Sequence, residues 1–299
     1  LLVGFLSVGF GLGGLLLIAF HDLTGARWSS AFGCIREGMA ATLPWAALAM
    51  AVILVAGLSS YPWSRTGALT EETAWFERWW LEPGFFTARL VAYLAIWAVF
   101  AAAMVRASRR ATALGGPTRA GARLSAAFLV VFSLTFWLAS SDWIMSLQPD
   151  WYSTAFGVYN FSGVLLAAQA AVTLLTVALR AAGPLKNAVG RDQLHDLGTL
   201  LLSFSCFWMY IWFCQYMLIW YTNMPEETSH YASRVRGLWA PLFYANIVIN
   251  WAIPFAVLLP RAAKQNAGTL VKISLLLLAG RWLDVYLMIL PSINADASL

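Results

Sequence analysis

Residues 1–20 read LLVGFLSVGFGLGGLLLIAF, and the run ends at His21-Asp22. No ionisable side chain interrupts it. At 1.5 Å of rise per residue, a helix of this length covers about 30 Å, the thickness of a bilayer's hydrocarbon core. The stretch reads as a membrane span. Seven more runs of spanning length follow, at 39–59, 86–105, 124–146, 155–179, 196–221, 240–260 and 270–290, each ended by charges, Pro or Gly. The expected fold is an all-α integral membrane protein of about eight transmembrane helices, a single polytopic domain over residues 1–299. Spans one to four (1–146) and five to eight (155–290) suit two four-helix bundles. Small residues license close helix approach, notably Gly11, Gly13, Gly14 and the Ala-rich second span.

Composition agrees. Hydrophobic residues make up 61% of the chain and charged residues 11%, against about 25% charged in an average soluble domain. That much apolar surface requires lipid as solvent. The isoelectric point of about 9.3 does not point to nucleic acid, because the basic residues sit in short loops between apolar runs. Thirteen of them (Arg27, Arg36, Arg106, Arg109, Arg110, Arg119, Arg123, Arg180, Lys186, Arg191, Arg261, Lys264 and Lys272) fall in odd-numbered loops. Five (Arg65, Arg78, Arg89, Arg234 and Arg236) fall in even-numbered ones. The positive-inside rule places the odd loops in the cytoplasm and both ends of the chain outside. The chain opens in an apolar run without a basic leader, so this segment is not read as a signal peptide; a missing N-terminal part is expected. The cysteines Cys34, Cys206 and Cys214 form neither CxxC nor CxxCH, which argues against an iron–sulfur cluster, a c-type haem or a disulfide framework within the chain.

Loop two, about residues 60–85, places Glu71, Glu72, Glu77 and Glu82 among Trp63, Trp75, Trp79 and Trp80. It reads as an interfacial connector or as a docking surface for a subunit outside the membrane.

Ionisable groups within lipid are costly, so each is a functional candidate. Asp142 lies near the outer end of span four. Arg281 and Asp284 lie three apart in the last span, on one helical face, where they can pair; the alternatives are a structural ion pair and a proton-carrying carboxylate. His21-Asp22 and His195-Asp196 mark the cytoplasmic ends of spans one and six, as proton stations or as interfacial caps. Glu226 and Glu227 stand outside, after a helix that Pro225 is expected to stop. Within that helix Gln215, Tyr216 and Trp220 would suit a flat quinone ring or an aromatic belt. With three histidines in all and no HExxH or Cys/His cluster, no metal site is expected.

Several of these runs are similar to one bacterial family. The residues are His21-Asp22-Leu23-Thr24-Gly25-Ala26-Arg27-Trp28, Asp142-Trp143-Ile144-Met145-Ser146 onward to Trp151-Tyr152-Ser153-Thr154, Phe156-Gly157-Val158-Tyr159, His195-Asp196-Leu197-Gly198, and Gln215-Tyr216-Met217 onward to Met224-Pro225-Glu226-Glu227. They resemble, in order and over residues 1 to about 290, the F-type membrane subunit of alternative complex III, a quinol:cytochrome c oxidoreductase related to the polysulfide reductase membrane subunit. The family normally has about ten spans, so the first and last are expected to be missing here. It often carries His-His where this chain has His21-Asp22, which unsettles any role needing adjacent imidazoles. The resemblance implies two four-helix bundles in the inner (cytoplasmic) membrane of a bacterium. It implies partners: a multi-haem cytochrome c subunit, an iron–sulfur subunit, a mono-haem cytochrome c subunit and a sister membrane subunit that is the better candidate for the quinol site. Haem c and iron–sulfur clusters would sit in those partners. This chain would be a scaffold with no bound cofactor and no catalytic residue, offering a proton route and contact with quinol or menaquinol. The competing reading is a stand-alone secondary transporter.

Overall fold

The computed structural model describes residues 1–25, 32–64, 75–114, 116, 118–149 and 151–293. The protein is an all-α integral membrane protein with eight helical spans long and apolar enough to cross a bilayer. No strand occurs among the described residues. The spans are α1 (Leu2–Thr24), α2 with α3 (Gly33–Ala41 and Leu43–Ala56), α5 (Pro83–Ala113), α6 (Arg119–Trp143), α7 (Phe156–Ala182), α8 (Arg191–Thr222), α10 with α11 (Trp239–Ile247 and Ile253–Leu258) and α13 (Ala267–Ile293). Short helices lie between them: α4 (Trp75–Trp80), α9 (Pro225–Ala232) and α12 (Arg261–Gln265).

The first four spans pack on one another, as do the last four, and the groups meet mainly where α1 and α6 lie against α7. Small residues bring α1 and α7 together. A Cβ built on Gly13 would stand 2.4 Å from that of Ala168, so only glycine allows this approach.

The helices overrun the expected spans at the arginine-rich end. The third span extends to Ala113 rather than residue 105, so Arg106, Arg109 and Arg110 lie on helix rather than in a loop. The second begins at Gly33 rather than residue 39, which puts Arg36 in a helix rather than a loop. Arg89 is likewise no loop charge, being buried inside α5. Arg234 is also buried. Leaving out the buried Arg36, Arg89 and Arg234, twelve basic residues remain on the odd-loop side against Arg65, Arg78 and Arg236 on the even, which sharpens the charge asymmetry. Pro225 does not stop span six. Asn223 does, in the left-handed conformation at φ 50°, and Pro225 opens α9 at its first position.

Span seven is broken by a π turn at Val248–Ala252, just before Pro254. Proline lacks an N–H, so the carbonyl four residues earlier, that of Asn250, is released. The Ser205 hydroxyl donates to it at 2.6 Å. Such π turns are a recurrent device for re-aiming side chains at functional sites.

In loop two, Trp75 and Trp79 are exposed as an interfacial belt requires, but Trp63 is buried and Trp80 turns inward. Glu71 and Glu72 lie outside the described residues, as do Arg27, Trp28 and Asp150.

Candidate functional site

Both bundles bury a carboxylate, Asp142 at the arginine-poor end of its helix and Asp284 near the middle of its span. Asp142, 2% exposed, ends α6 and faces Arg89 of α5. The guanidinium donates from Nε at 2.9 Å and Nη2 at 3.1 Å, so the pair is bidentate. Trp80 Nε1 donates at 2.8 Å and the Tyr93 hydroxyl at 3.2 Å. Arg89 is sandwiched against the rings of Trp80 and Phe85, at 4.0 and 4.4 Å. Every partner this carboxylate needs is present, and through Trp80 the cluster ties loop two to the bundle. These features make Asp142 a structural anchor.

Asp284, 1% exposed, sits one helical turn beyond Arg281 on α13, and Nη1 of Arg281 donates to it at 2.5 Å. The Tyr159 hydroxyl of α7 donates to the same carboxylate. Asn246 Nδ2 does so at 3.0 Å and Trp208 Nε1 at 3.3 Å. Asn250, aimed by the π turn, backs Asn246 at 2.7 Å. Arg281 Nη2 reaches Asn160 Oδ1 at 3.1 Å. Four helices therefore converge on one carboxylate. The guanidinium lies against the backbone of Gly163, where a Cβ would come within 2.2 Å of Nη1.

Beside Asp284, toward the surface, Arg234 is buried without a carboxylate partner among the described residues. Its compensation comes from a helix end. Pro291 interrupts the hydrogen bonding of α13 and frees the carbonyl of Leu287. Arg234 Nε donates there at 2.9 Å, with Nη2 to the Met288 carbonyl at 3.2 Å and to Ser292 at 2.8 Å. A cation at a helix C-terminus is favourable. Burial lowers the Arg234 pKa to about 10, so it stays charged at neutral pH.

The loops at this end are clasped together. His230 stacks on Trp151 with ring centres 3.7 Å apart, and its Nδ1 stands 3.1 Å from Gln148 Oε1. Trp151 Nε1 donates to the Glu227 carbonyl at 3.1 Å. Burial, with a smaller contribution from Arg234, holds the His230 pKa well below its ordinary value, so this ring is neutral.

Gln215, Tyr216 and Trp220 do not form one site. Gln215 is buried, with Nε2 3.4 Å from Ser153 Oγ and Oε1 unpartnered among the described residues. It faces a cavity of about 30 Å³ shared with Tyr159, His230, Arg234 and Asp284. That volume fits water rather than a ring. Tyr216 stacks on Trp212, and Trp220 is 65% exposed on the outside of the bundle.

At the opposite end, Asp22 accepts from Ser125 at 2.8 Å. His21 lines a mostly apolar cavity of about 450 Å³ that also reaches Arg36 and Gln169. His195 and Asp196 sit at the surface, 3.8 Å apart. Glu226 and Glu227 occupy the first turn of α9, where carboxylates are favoured. The candidate stations thus form two separate groups. On α7, Ser162 and Gln169 are both buried, but the residues from Gly163 to Ala168 carry no polar side chain, a gap of about 10 Å along the helix.

No protein-family model matches this sequence, and no curated protein matches it. No group of three or more His, Cys, Asp or Glu able to hold a metal occurs among the described residues.

Sequence reasoning missed Arg89, Tyr93, Tyr159, Asn160, Trp208, Asn246, Asn250 and Arg234 as partners. One signal was available: Asn246 and Asn250 stand four apart within an apolar span. Another was that Asp142 and Asp284 each precede a proline by seven residues, Pro149 and Pro291.

The clasp around His230 makes stability pH-dependent. The ring's pKa is lowered on folding from 6.5, so below that value the unfolded chain binds a proton that the folded chain refuses. Stability is therefore full above the unfolded pKa and falls as pH drops below it. In detergent, the melting temperature of the wild type is expected to fall between about pH 6.5 and 5 more steeply than that of His230→Gln. Parallel curves would remove His230 as the cause.

Proposed function

We propose that this chain is the membrane subunit of a quinol:electron-acceptor oxidoreductase of the alternative complex III kind, set in a bacterial cytoplasmic membrane with its arginine-rich end in the cytoplasm. One observation carries the reading. The two longest runs that resemble the family, residues 142–154 and 215–227, are far apart in sequence but bonded to each other. Trp151 donates to the Glu227 carbonyl and Gln215 to Ser153, and Asp142, at the head of the first run, anchors loop two through Trp80. Together they build one rigid surface at the end facing outside the cell, suited to hold the multi-haem, iron–sulfur and mono-haem subunits. The sister membrane subunit would oxidise quinol, and the redox centres would belong to the partners.

Asp284 is the carboxylate suited to a proton route, with a water-sized cavity on its outer side. The apolar gap on α7 below it means that protons would need transient hydration to reach the His21 cavity. Among Asp284→Asn complexes that still assemble, quinol oxidation is expected at the wild-type rate with a lower proton-to-electron ratio in proteoliposomes. Equal ratios would refute the route.

The π turn beside a buried carboxylate favours a second reading, a stand-alone secondary transporter, because broken helices commonly frame transport sites. Purification in mild detergent through a tag on this chain separates the two. Co-purified c-type haem, reduced on adding quinol, supports the oxidoreductase. A colourless, solitary polypeptide obtained from several gentle detergents overturns it in favour of the transporter.

A further inference from the structure

A second cleft lies between the two bundles, at the level of Arg281. Its volume is about 190 Å³, and its walls include Phe5, Gly9 and Phe10 of α1, Ala167 of α7, and Leu278 and Arg281 of α13. Gly9, Phe10, Ala167 and Leu278 are only half-buried, so the cleft opens sideways into lipid. Small side chains at Gly9 and Ala167 create the gap. An apolar cavity of about 150 Å³ accepts a benzene ring, so this one has room for a substituted ring.

Size alone would admit an acyl chain. Arg281 separates the two occupants. Its guanidinium carbon lies 5.9 Å from the centre of the Phe5 ring. Nη1 is committed to Asp284 and Nη2 to Asn160, while Nε makes no hydrogen bond among the described residues. A donor in the middle of a membrane is costly unless an acceptor reaches it. Phospholipid ester carbonyls stay near the headgroups, whereas Arg281 stands twelve residues before the end of α13 at Ile293, about 18 Å along the axis. The acceptor must travel on a molecule that dissolves in the hydrocarbon core. A ring carbonyl with an apolar tail meets every condition: ring-sized walls, one donor at the edge, and an open side through which the tail leaves.

We propose that this cleft binds the ring of a lipid-soluble quinone, one carbonyl accepting from Arg281 Nε and the tail running out into lipid. The proposal concerns binding alone and includes no redox step. It places the ring away from Gln215, Tyr216 and Trp220. The ring's identity rests on the quinol-oxidising reading above; the cleft and its donor do not.

The test is photolabelling of the intact assembly in native membranes with an azidoquinone bearing a decyl tail, followed by peptide mapping. Adducts are expected on residues 5–10 or 164–167, displaced by excess unlabelled decylquinone. Ala167→Phe, which fills the cleft, should lower the yield about tenfold, equivalent to about 1.4 kcal/mol of binding. Val130→Phe on the lipid-facing side of α6 should leave it unchanged. Leu278→Phe is the second filling variant if Ala167→Phe does not assemble; Arg281 is left alone because Asp284 depends on it. Unchanged labelling in the filled variants overturns the proposal, as do adducts at residues 215–220 instead. So does equal labelling of the cleft by an azido fatty acid that quinone cannot displace, which would assign the cleft to acyl chains. Haem reduction by quinol, measured on the same membranes, reports on the oxidoreductase reading separately. Labelled cleft without haem reduction sinks that reading alone, and haem reduction with an unlabelled cleft sinks this one alone.

Discussion

Arg281 and Asp284 meet at 2.5 Å in the interior of the second bundle, where neither charge could stand by itself. Removing one ion from water costs several kcal/mol even after relaxation, and hydrocarbon offers no compensation. The pair therefore dictates much of what surrounds it. Position 163 must be glycine because the guanidinium lies on its backbone. Tyr159, Trp208 and Asn246 must point inward because the carboxylate needs their donors. The π turn of span seven makes sense in the same terms: it places Asn250 behind Asn246, and Ser205 satisfies the carbonyl that Pro254 leaves free.

The first bundle solves the same problem in another way. Arg89 and Asp142 are bidentate and are covered by Trp80 and Phe85, so a loop helix, rather than a transmembrane one, closes the site. Arg234 is a third solution, in which a proline-broken helix end supplies carbonyls in place of a carboxylate. Arg89–Asp142 and Arg234 lie at the arginine-poor end, and the Arg281–Asp284 pair lies deeper, near the middle of its span. The arginine-poor end is consequently rigid and polar inside, while the opposite end is arginine-rich at its surface.

The spans were legible because twenty uncharged residues leave a soluble helix no place to hide. Asp142, Arg281 and Asp284 were legible because ionisable groups are rare inside such runs. Their partners were not. Asn246, Asn250 and Tyr159 are neutral, and one-dimensional reading does not show which helix face they occupy. Arg89 sits within the first two turns of α5 and passes for a loop charge, although its side chain turns inward. Gln215, Tyr216 and Trp220 looked like a cluster because they are close in sequence. Adjacent residues on a helix point about 100° apart, and the structure sends one to the core and one to the outside. Pro225 illustrates the same limit at a helix end, since the residue that stops the helix, Asn223, is recognisable only from its backbone angles.

The most direct test of this account is a double-mutant cycle on Arg281→Met and Asp284→Leu, followed by unfolding in mixed micelles. If the pair governs the second bundle, each single variant should lose about 3–5 kcal/mol, because it strands the other charge. The double variant should lose far less than the sum of the two. Losses that add to within about 0.5 kcal/mol would show that the two side chains act independently, and would contradict the central claim.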